Sequence, residues 1–319
     1  MKRAMISGIN GQDGVFLSEQ LLQHDVEVYG FGPQPTLAKH ISERVYYFQG
    51  DLRNTNFILK KCDDYNIDIF FNLASLSSVA DSFHEPNLTR EINYFAPKKI
   101  LDGFLSSNSN ERKFFQASSS EMFGNTSIEP QDEHTPFNPL SPYAKWKAEM
   151  HAECEVARSK GLFVASGIMY NHESKFRPPG YLSKKVAKSV AELFVKNSGK
   201  LKLGNINAQR DWGFAGDYVN AICKIMDSTE PQTYVIATGK CHSVLDMVRV
   251  ALRAVNLEGL EENFVILDSS LLRPAEPTKL VGNPSKANRL LGWTPTKNFS
   301  EFISDMVYYE IEQIGVSGN

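Results

Sequence analysis

Apolar residues fall in short unbroken runs along most of the chain, and each run is followed by a turn and then by apolar positions at helical spacing. The runs lie at residues 3–7, 26–30, 45–49, 67–74, 113–117, 162–168 and 234–239. A run that is apolar on both faces predicts a strand buried on both faces, as in a parallel sheet covered by helices. Helical spacing covers residues 15–22, 55–65, 86–105 and 183–195, with further helices opening at Pro142 and Asp217. Strands alternating with helices over this length predict an α/β fold with a doubly wound parallel sheet. After residue 168 the texture changes. Tyr170-Asn171-His172-Glu173-Ser174 and Phe176-Arg177-Pro178-Pro179-Gly180 make a polar, proline-broken loop, and the stretch beyond residue 240 reads as helices with loops. Two interleaved units are therefore expected. Residues 1–168 with 214–240 form the sheet domain, and residues 169–213 with 241–319 form a smaller, C-terminal substrate-binding domain over the sheet edge.

Composition narrows the class. At 319 residues, with 42% hydrophobic and 22% charged side chains, the chain has the make-up of a soluble globular protein with a large core. A net charge of −3 gives no electrostatic reason to expect nucleic acid as a partner. Cys62, Cys154, Cys223 and Cys241 are scattered without C-x-x-C spacing. That predicts neither a zinc site nor a disulfide framework, and suits a reducing cytoplasm. No apolar run approaches the ~18 residues of a membrane span. Met1-Lys2-Arg3 leads straight into a short strand, without the longer apolar core of a signal peptide.

Two stretches carry chemistry. Gly8, Gly11 and Gly14 stand between the first strand and the first helix, with Asn10, Gln12 and Asp13 among them. Glycines at this place let a backbone turn approach a pyrophosphate at a helix N-terminus, so a Rossmann-type dinucleotide site is expected. The second stretch begins with Ser118-Ser119-Ser120-Glu121 at the end of the fifth strand, where doubly wound sheets bind ligands. It continues in Ser141-Pro142-Tyr143-Ala144-Lys145-Trp146-Lys147. Ser141 suits a helix cap and Pro142 a first helical position. Tyr143 and Lys147 then lie on one helix face, where an ammonium near a phenol is expected to lower its pKa and make it a general base. The Ser119 hydroxyl is placed to hold the substrate oxygen.

The glycine turn, the serine at the strand end and Tyr-x-x-x-Lys together resemble the extended, nucleotide-sugar-modifying branch of the short-chain dehydrogenase/reductases. In that branch an Asp-Leu pair after the third strand, here Asp51-Leu52, lies beside the adenine. The stretch Ser75 to Ser78, beyond the fourth strand, lines the nicotinamide side, and Leu73 and Ala74 at the end of that strand join Ser75 at the cofactor. A narrower resemblance rests on five ordered motifs: Gly8-Ile9-Asn10-Gly11-Gln12-Asp13-Gly14, Gln116-Ala117-Ser118-Ser119-Ser120-Glu121-Met122-Phe123-Gly124, Asn171-His172-Glu173-Ser174, Arg210-Asp211-Trp212-Gly213 and Arg273-Pro274-Ala275-Glu276. They are similar to those of the GDP-mannose 4,6-dehydratase family over nearly the whole chain.

That resemblance implies a reaction. Tyr143 takes the C4 hydroxyl proton as hydride leaves C4, Glu121 takes the C5 proton and returns it to the departing C6 hydroxyl, and hydride comes back to C6. It implies a tightly bound NADP or NAD, regenerated at each turnover. It also implies a GDP-sugar held by Lys185, Arg210 and Arg273 at the phosphates, with Ser78, Asn171 and Glu276 in the substrate cleft. His172, Trp212 and Trp293 are expected to be structural. Three departures stand out: Gly32-Pro33-Gln34-Pro35 where relatives carry cofactor-binding and tetramer-forming arginines, serine for threonine at position 119, and Trp146 inside Tyr-x-x-x-Lys. They leave NAD against NADP open and admit a heptose in place of mannose. They also favour a dimer over a tetramer, built on the helices from Pro86 and Pro142. A reductase or epimerase of the same fold and a nucleotide-binding regulatory protein are the alternatives. Glu121 argues against the first pair, and the intact Ser119, Glu121, Tyr143 and Lys147 argue against the last.

Overall fold

The fold is taken from a computed structural model that describes residues 1–107, 112–272, 275–277 and 279–317. The first half of the chain runs β1 (Arg3–Ser7), α1 (Gln12–Gln23), β2 (Glu27–Gly32), β3 (Tyr46–Gln49), α2 (Thr55–Asp64), β4 (Ile69–Asn72), α3 (Val79–His84), α4 (Pro86–Arg90), a π-helical turn (Glu91–Phe95), α5 (Ala96–Ser106), β5 (Lys113–Ser119), a 3₁₀ turn (Ser120–Phe123) and α6 (Pro142–Ser159). The second half runs β6 (Phe163–Met169), β7 (Asn171–Glu173), α7 (Leu182–Lys196), β8 (Leu201–Leu203), β9 (Gln209–Phe214), α8 (Ala215–Asp227), β10 (Thr233–Ile236), β11 (Cys241–Ser243), α9 (Val244–Arg253), α10 (Glu261–Phe264), β12 (Val265–Leu267), β13 (Lys279–Leu280), α11 (Ser285–Leu291) and α12 (Phe299–Ser317).

Seven strands, in the order β10-β6-β5-β4-β1-β2-β3, form one parallel sheet. Its central strands are the apolar runs of the sequence. Ile69, Phe70 and Phe71 of β4 and Phe114 and Phe115 of β5 are buried, and Phe70 stacks on Phe114 with centroids 5.5 Å apart. Helices cover both faces, so two apolar layers form, one around Ile6, Ile9 and Tyr218 and one around Phe70, Ile100 and Phe114. The strand order reverses between β1 and β4, which opens a crevice at their carboxyl ends. The glycine turn after β1 and the loop after β4 both face it.

The smaller unit holds a four-stranded sheet of β7, β9, β11 and β13 and the pair β8–β12. α7, α9 and α12 close on it around Trp212, Met247 and Phe302. Its chain is tied back to the large sheet at several points. Trp293, 1% exposed, packs with Tyr218 and donates Nε1 to the Asp217 carbonyl at 2.8 Å. Asp211 is fully buried and accepts from Thr238 N and Oγ1, Gly239 N and Gly282 N, at 2.6 to 3.3 Å.

One expected element is corrected. Residues 86–105 do not form a single helix; a π-helical turn at Glu91–Phe95 interrupts it. Pro97, in the first turn of α5, has no N–H to give to a carbonyl one turn back, and an inserted residue relieves the mismatch. The turn places the Asn93 side chain inward. Its Oδ1 accepts from Leu76 N at 2.9 Å and Ser75 Oγ at 3.0 Å, and its Nδ2 donates to the Leu76 carbonyl at 3.1 Å. The loop after β4 is thereby held at the crevice.

Candidate active site

The crevice is a cleft of about 780 Å³ between the two units. Its floor is the glycine turn. Gly8 has φ +72°, and a Cβ there would lie 2.9 Å from the Ala74 Cα. A Cβ on Gly14 would lie 2.2 Å from the Ile9 carbonyl oxygen, so only glycine fits that turn of α1. Gly11 is the N-cap of α1 and no side chain caps the helix, which leaves first-turn N–H groups free to meet a phosphate. These features fit a dinucleotide. All the expected cofactor residues, Gly8, Asn10, Gly11, Gln12, Asp13, Gly14, Asp51, Leu52, Leu73, Ala74, Ser75, Tyr143 and Lys147, line the cleft.

Several of their side chains are already occupied by the protein. Gln12 donates to the His172 carbonyl at 2.9 Å and accepts from Ser174 Oγ at 2.8 Å. Asp13 lies 3.0 Å from His172 Nε2, while His172 Nδ1 lies 2.7 Å from the Tyr170 carbonyl. Both groups are acceptors, so both ring nitrogens donate and the ring is an imidazolium. Burial pulls the His172 pKa down, but the Asp13 carboxylate outweighs it and the net direction is upward. The ring also stacks on Tyr218 at 4.7 Å, so His172 joins the two units as a packed structural residue.

The strand end and α6 form the wall. β5 runs two residues further than expected, to Ser119, and the 3₁₀ turn then swings Glu121 into the cleft. Ser141 caps α6 by accepting from Ala144 N at 3.1 Å, with Pro142 in the first turn. Tyr143 and Lys147 face the cleft from one side of that helix, and Ser119 lines the same wall.

The expected electrostatics of that pair are reversed. Burial pushes the Tyr143 phenol up to about 12, and the charges of Glu121 and Tyr181 add to the rise against the Ser119 hydrogen bond and Arg177. The Lys147 ammonium donates to the Ala117 carbonyl at 2.9 Å and sits 5.8 Å from the tyrosine ring centroid, and burial brings its own pKa down to about 8.

Opposite lies Arg210, buried, with Nε 3.9 Å from a Glu121 carboxylate oxygen and Nη2 3.5 Å from one of Glu276. The buried Asp211 next to it holds β9 in place. Ser78 and Asn171 also line the cleft, and Ser78 caps α3. Lys185 is not brought there: its ammonium donates to the Lys202 carbonyl at 2.7 Å, a contact set by the turn of α7 that carries it. Arg273 lies outside the described residues. Among the polar cleft residues that the sequence did not single out are Arg53, Arg177 and Tyr181, while Ser77, inside the Ser75 to Ser78 stretch, also lines the cleft. Arg177 and Tyr181 stand in the proline-broken loop, whose polarity marked it as a surface loop and nothing more. Among the described residues no group of three or more His, Cys, Asp or Glu could hold a metal ion.

A parallel sheet of this order, a glycine turn at its switch point and a Ser-Tyr-Lys wall define an extended short-chain dehydrogenase/reductase. Solved structures share the fold. The UDP-glucose 4-epimerase of Thermus thermophilus superposes with a TM-score of 0.85 at 24% identity, over 97% of this chain and 98% of that one. The dTDP-glucose 4,6-dehydratase of Bacillus anthracis gives 0.84 at 17% identity, over 99% and 98%. A family model described as GDP-mannose 4,6 dehydratase matches residues 5–306. GDP-mannose 4,6 dehydratase 1 of Arabidopsis thaliana is 36% identical over 98% of this chain and 90% of its own. The human GDP-mannose 4,6 dehydratase is 33% identical over 99% and 93%. The chain belongs to the GDP-mannose 4,6-dehydratase family.

Proposed function

We propose that the chain converts a GDP-hexose, GDP-mannose in the first instance, to the GDP-4-keto-6-deoxy sugar. The observation that carries the reading is Glu121. A carboxylate shares one strand end with Ser119 and one cleft with Tyr143, so a base for carbon lies beside the base for oxygen. Bound in its oxidised form, a nicotinamide dinucleotide supplies a cationic ring and a reversible acceptor for hydride. The cationic ring, when bound, would favour the Tyr143 phenolate. Tyr143 takes the C4 hydroxyl proton while Ser119 holds that oxygen. The C4 ketone acidifies C5–H; Glu121 takes that proton and delivers it to the C6 hydroxyl, which leaves as water. C5 then takes a solvent-derived proton, and the hydride removed from C4 would return to C6. Arg210 is the fork for the diphosphate, and Asn171, Ser78 and Glu276 line the sugar and ribose side.

The residues after β2 favour NAD, or no strong preference. Gln34 is tied to Asn10 at 3.3 Å, Tyr47 bonds to the Gly32 and Gln34 carbonyls, and no cation stands in the 31–36 loop. Arg53 is paired with Asp51, and Lys39 and Arg44 flank a separate shallow cleft beside α1. The assembly we favour is a dimer through α4–α5 and α6, where Tyr94, Phe95 and Trp146 are only half-buried and Val156 is exposed. The cysteines are free, in keeping with a cytoplasmic protein. Incubation of the purified protein with GDP-mannose tests the activity: the expected product is lighter by one water with no net cofactor turnover, and unchanged GDP-mannose refutes it.

A further inference from the structure

Tyr181 is the residue before α7, on the small unit, and Ser77 follows β4, on the large one. Their hydroxyls meet at 2.6 Å across the cleft. The tyrosine ring is propped from behind. Arg177 lies over it with Cζ 4.0 Å from the centroid, and Arg177 Nε is 3.1 Å from a Glu173 carboxylate oxygen. Glu173 is buried and also accepts from Ser183 Oγ at 2.6 Å. A phenol fixed by a cation that is itself anchored on a buried carboxylate has little freedom to leave the cleft. Tyr181, Ser77 and Tyr143 line the same cleft.

We propose that Tyr181 is a sugar-binding residue that sets specificity for the ring hydroxyls of the substrate. A phenol and a serine hydroxyl bonded to each other are each both donor and acceptor, and so is a sugar hydroxyl. A sugar hydroxyl therefore exchanges into the Ser77–Tyr181 contact without leaving any partner unpaired. A diphosphate has a charged partner of its own in Arg210, elsewhere in the cleft. The inference rests on the dehydratase reading for its substrate, and adds a residue that the motifs of the family resemblance do not contain.

Tyr181→Phe removes the hydroxyl and keeps the ring over Arg177. Loss of one neutral hydrogen bond to the substrate lowers kcat/KM for GDP-mannose by about three- to tenfold. Affinity for GDP alone, measured by calorimetry, stays within about twofold, since one contact to the sugar is all that changes. An unchanged kcat/KM overturns the proposal. So does a parallel loss of GDP affinity, which would make Tyr181 a tie between the two units. If the wild-type chain gives no product, the dehydratase reading fails and the proposal is judged on binding alone. GDP-mannose must then bind more weakly to Tyr181→Phe than to wild type, with GDP unaffected, and equal GDP-mannose affinities overturn it.

Discussion

On the proposed mechanism one phenol and one carboxylate divide the proton transfers, Tyr143 at oxygen and Glu121 at carbon, so their losses should look different. Tyr143→Phe should reduce C4 oxidation by ~10²–10⁴, the usual worth of a general base, with nucleotide affinity retained. Glu121→Gln should still reduce bound cofactor, yet solvent deuterium should not enter C5; entry at the wild-type rate would assign the base elsewhere. Ser119, Glu121, Tyr143 and Lys147 were singled out because each sits in a short local motif, and all four line the cleft. Tyr181 was not, because its contact with Ser77 joins residues 104 apart in sequence, and nothing around Tyr181 marks it. The direction of the tyrosine shift was also hidden. Spacing puts the lysine on the same helix face, but burial and the Ala117 carbonyl decide where its charge goes.

At the scale of elements, periodicity found every strand of the large sheet, since those runs are apolar on both faces. It missed the π-helical turn because residues 86–105 keep a helical pattern straight through Pro97, and the fault shows only in backbone hydrogen bonding. β7, β8, β9, β11, β12 and β13 were also missed; all but β9 have only two or three residues and no period to read, and the six residues of β9 include Gln209, Arg210 and Asp211, which break an apolar run. α6 carries a testable titration. His151, 3% exposed, shares a 2.8 Å contact with Ser118 Oγ, and burial, helped by Arg158, pushes its pKa down to about 4. The unfolded chain then binds the proton first, so stability falls as pH drops from about 6.5 to about 4, by on the order of 3 kcal/mol. In urea titrations across that window, wild type should lose stability more steeply than His151→Gln. Parallel curves would mean that His151 is not held neutral.

At the scale of the whole molecule, the change of texture after residue 168 falls where β6 of the large sheet ends and β7 of the second sheet begins. How the chain returns was not visible: Trp293, expected simply as core, packs on α8 of the sheet domain. The outward face of α4–α5 and α6 is narrower than the sequence suggested. Ile100, Leu101, Phe104 and Met150 are buried within the subunit and Ile92 lines the cleft, which leaves Tyr94, Phe95, Trp146 and Val156 for the proposed partner. Light scattering should give a mass near twice 35.8 kDa. A mass near one subunit would remove the helix interface, and one near four would show that the 31–36 loop joins dimers without arginines. The central claim is that one cofactor, held in one cleft, oxidises C4 and reduces C6 of the same sugar. GDP-mannose carrying deuterium at C4 tests it in a single turnover experiment. The account predicts the label at C6 of the 4-keto-6-deoxy product, in the same molecule; label lost to solvent or left in released cofactor would contradict it.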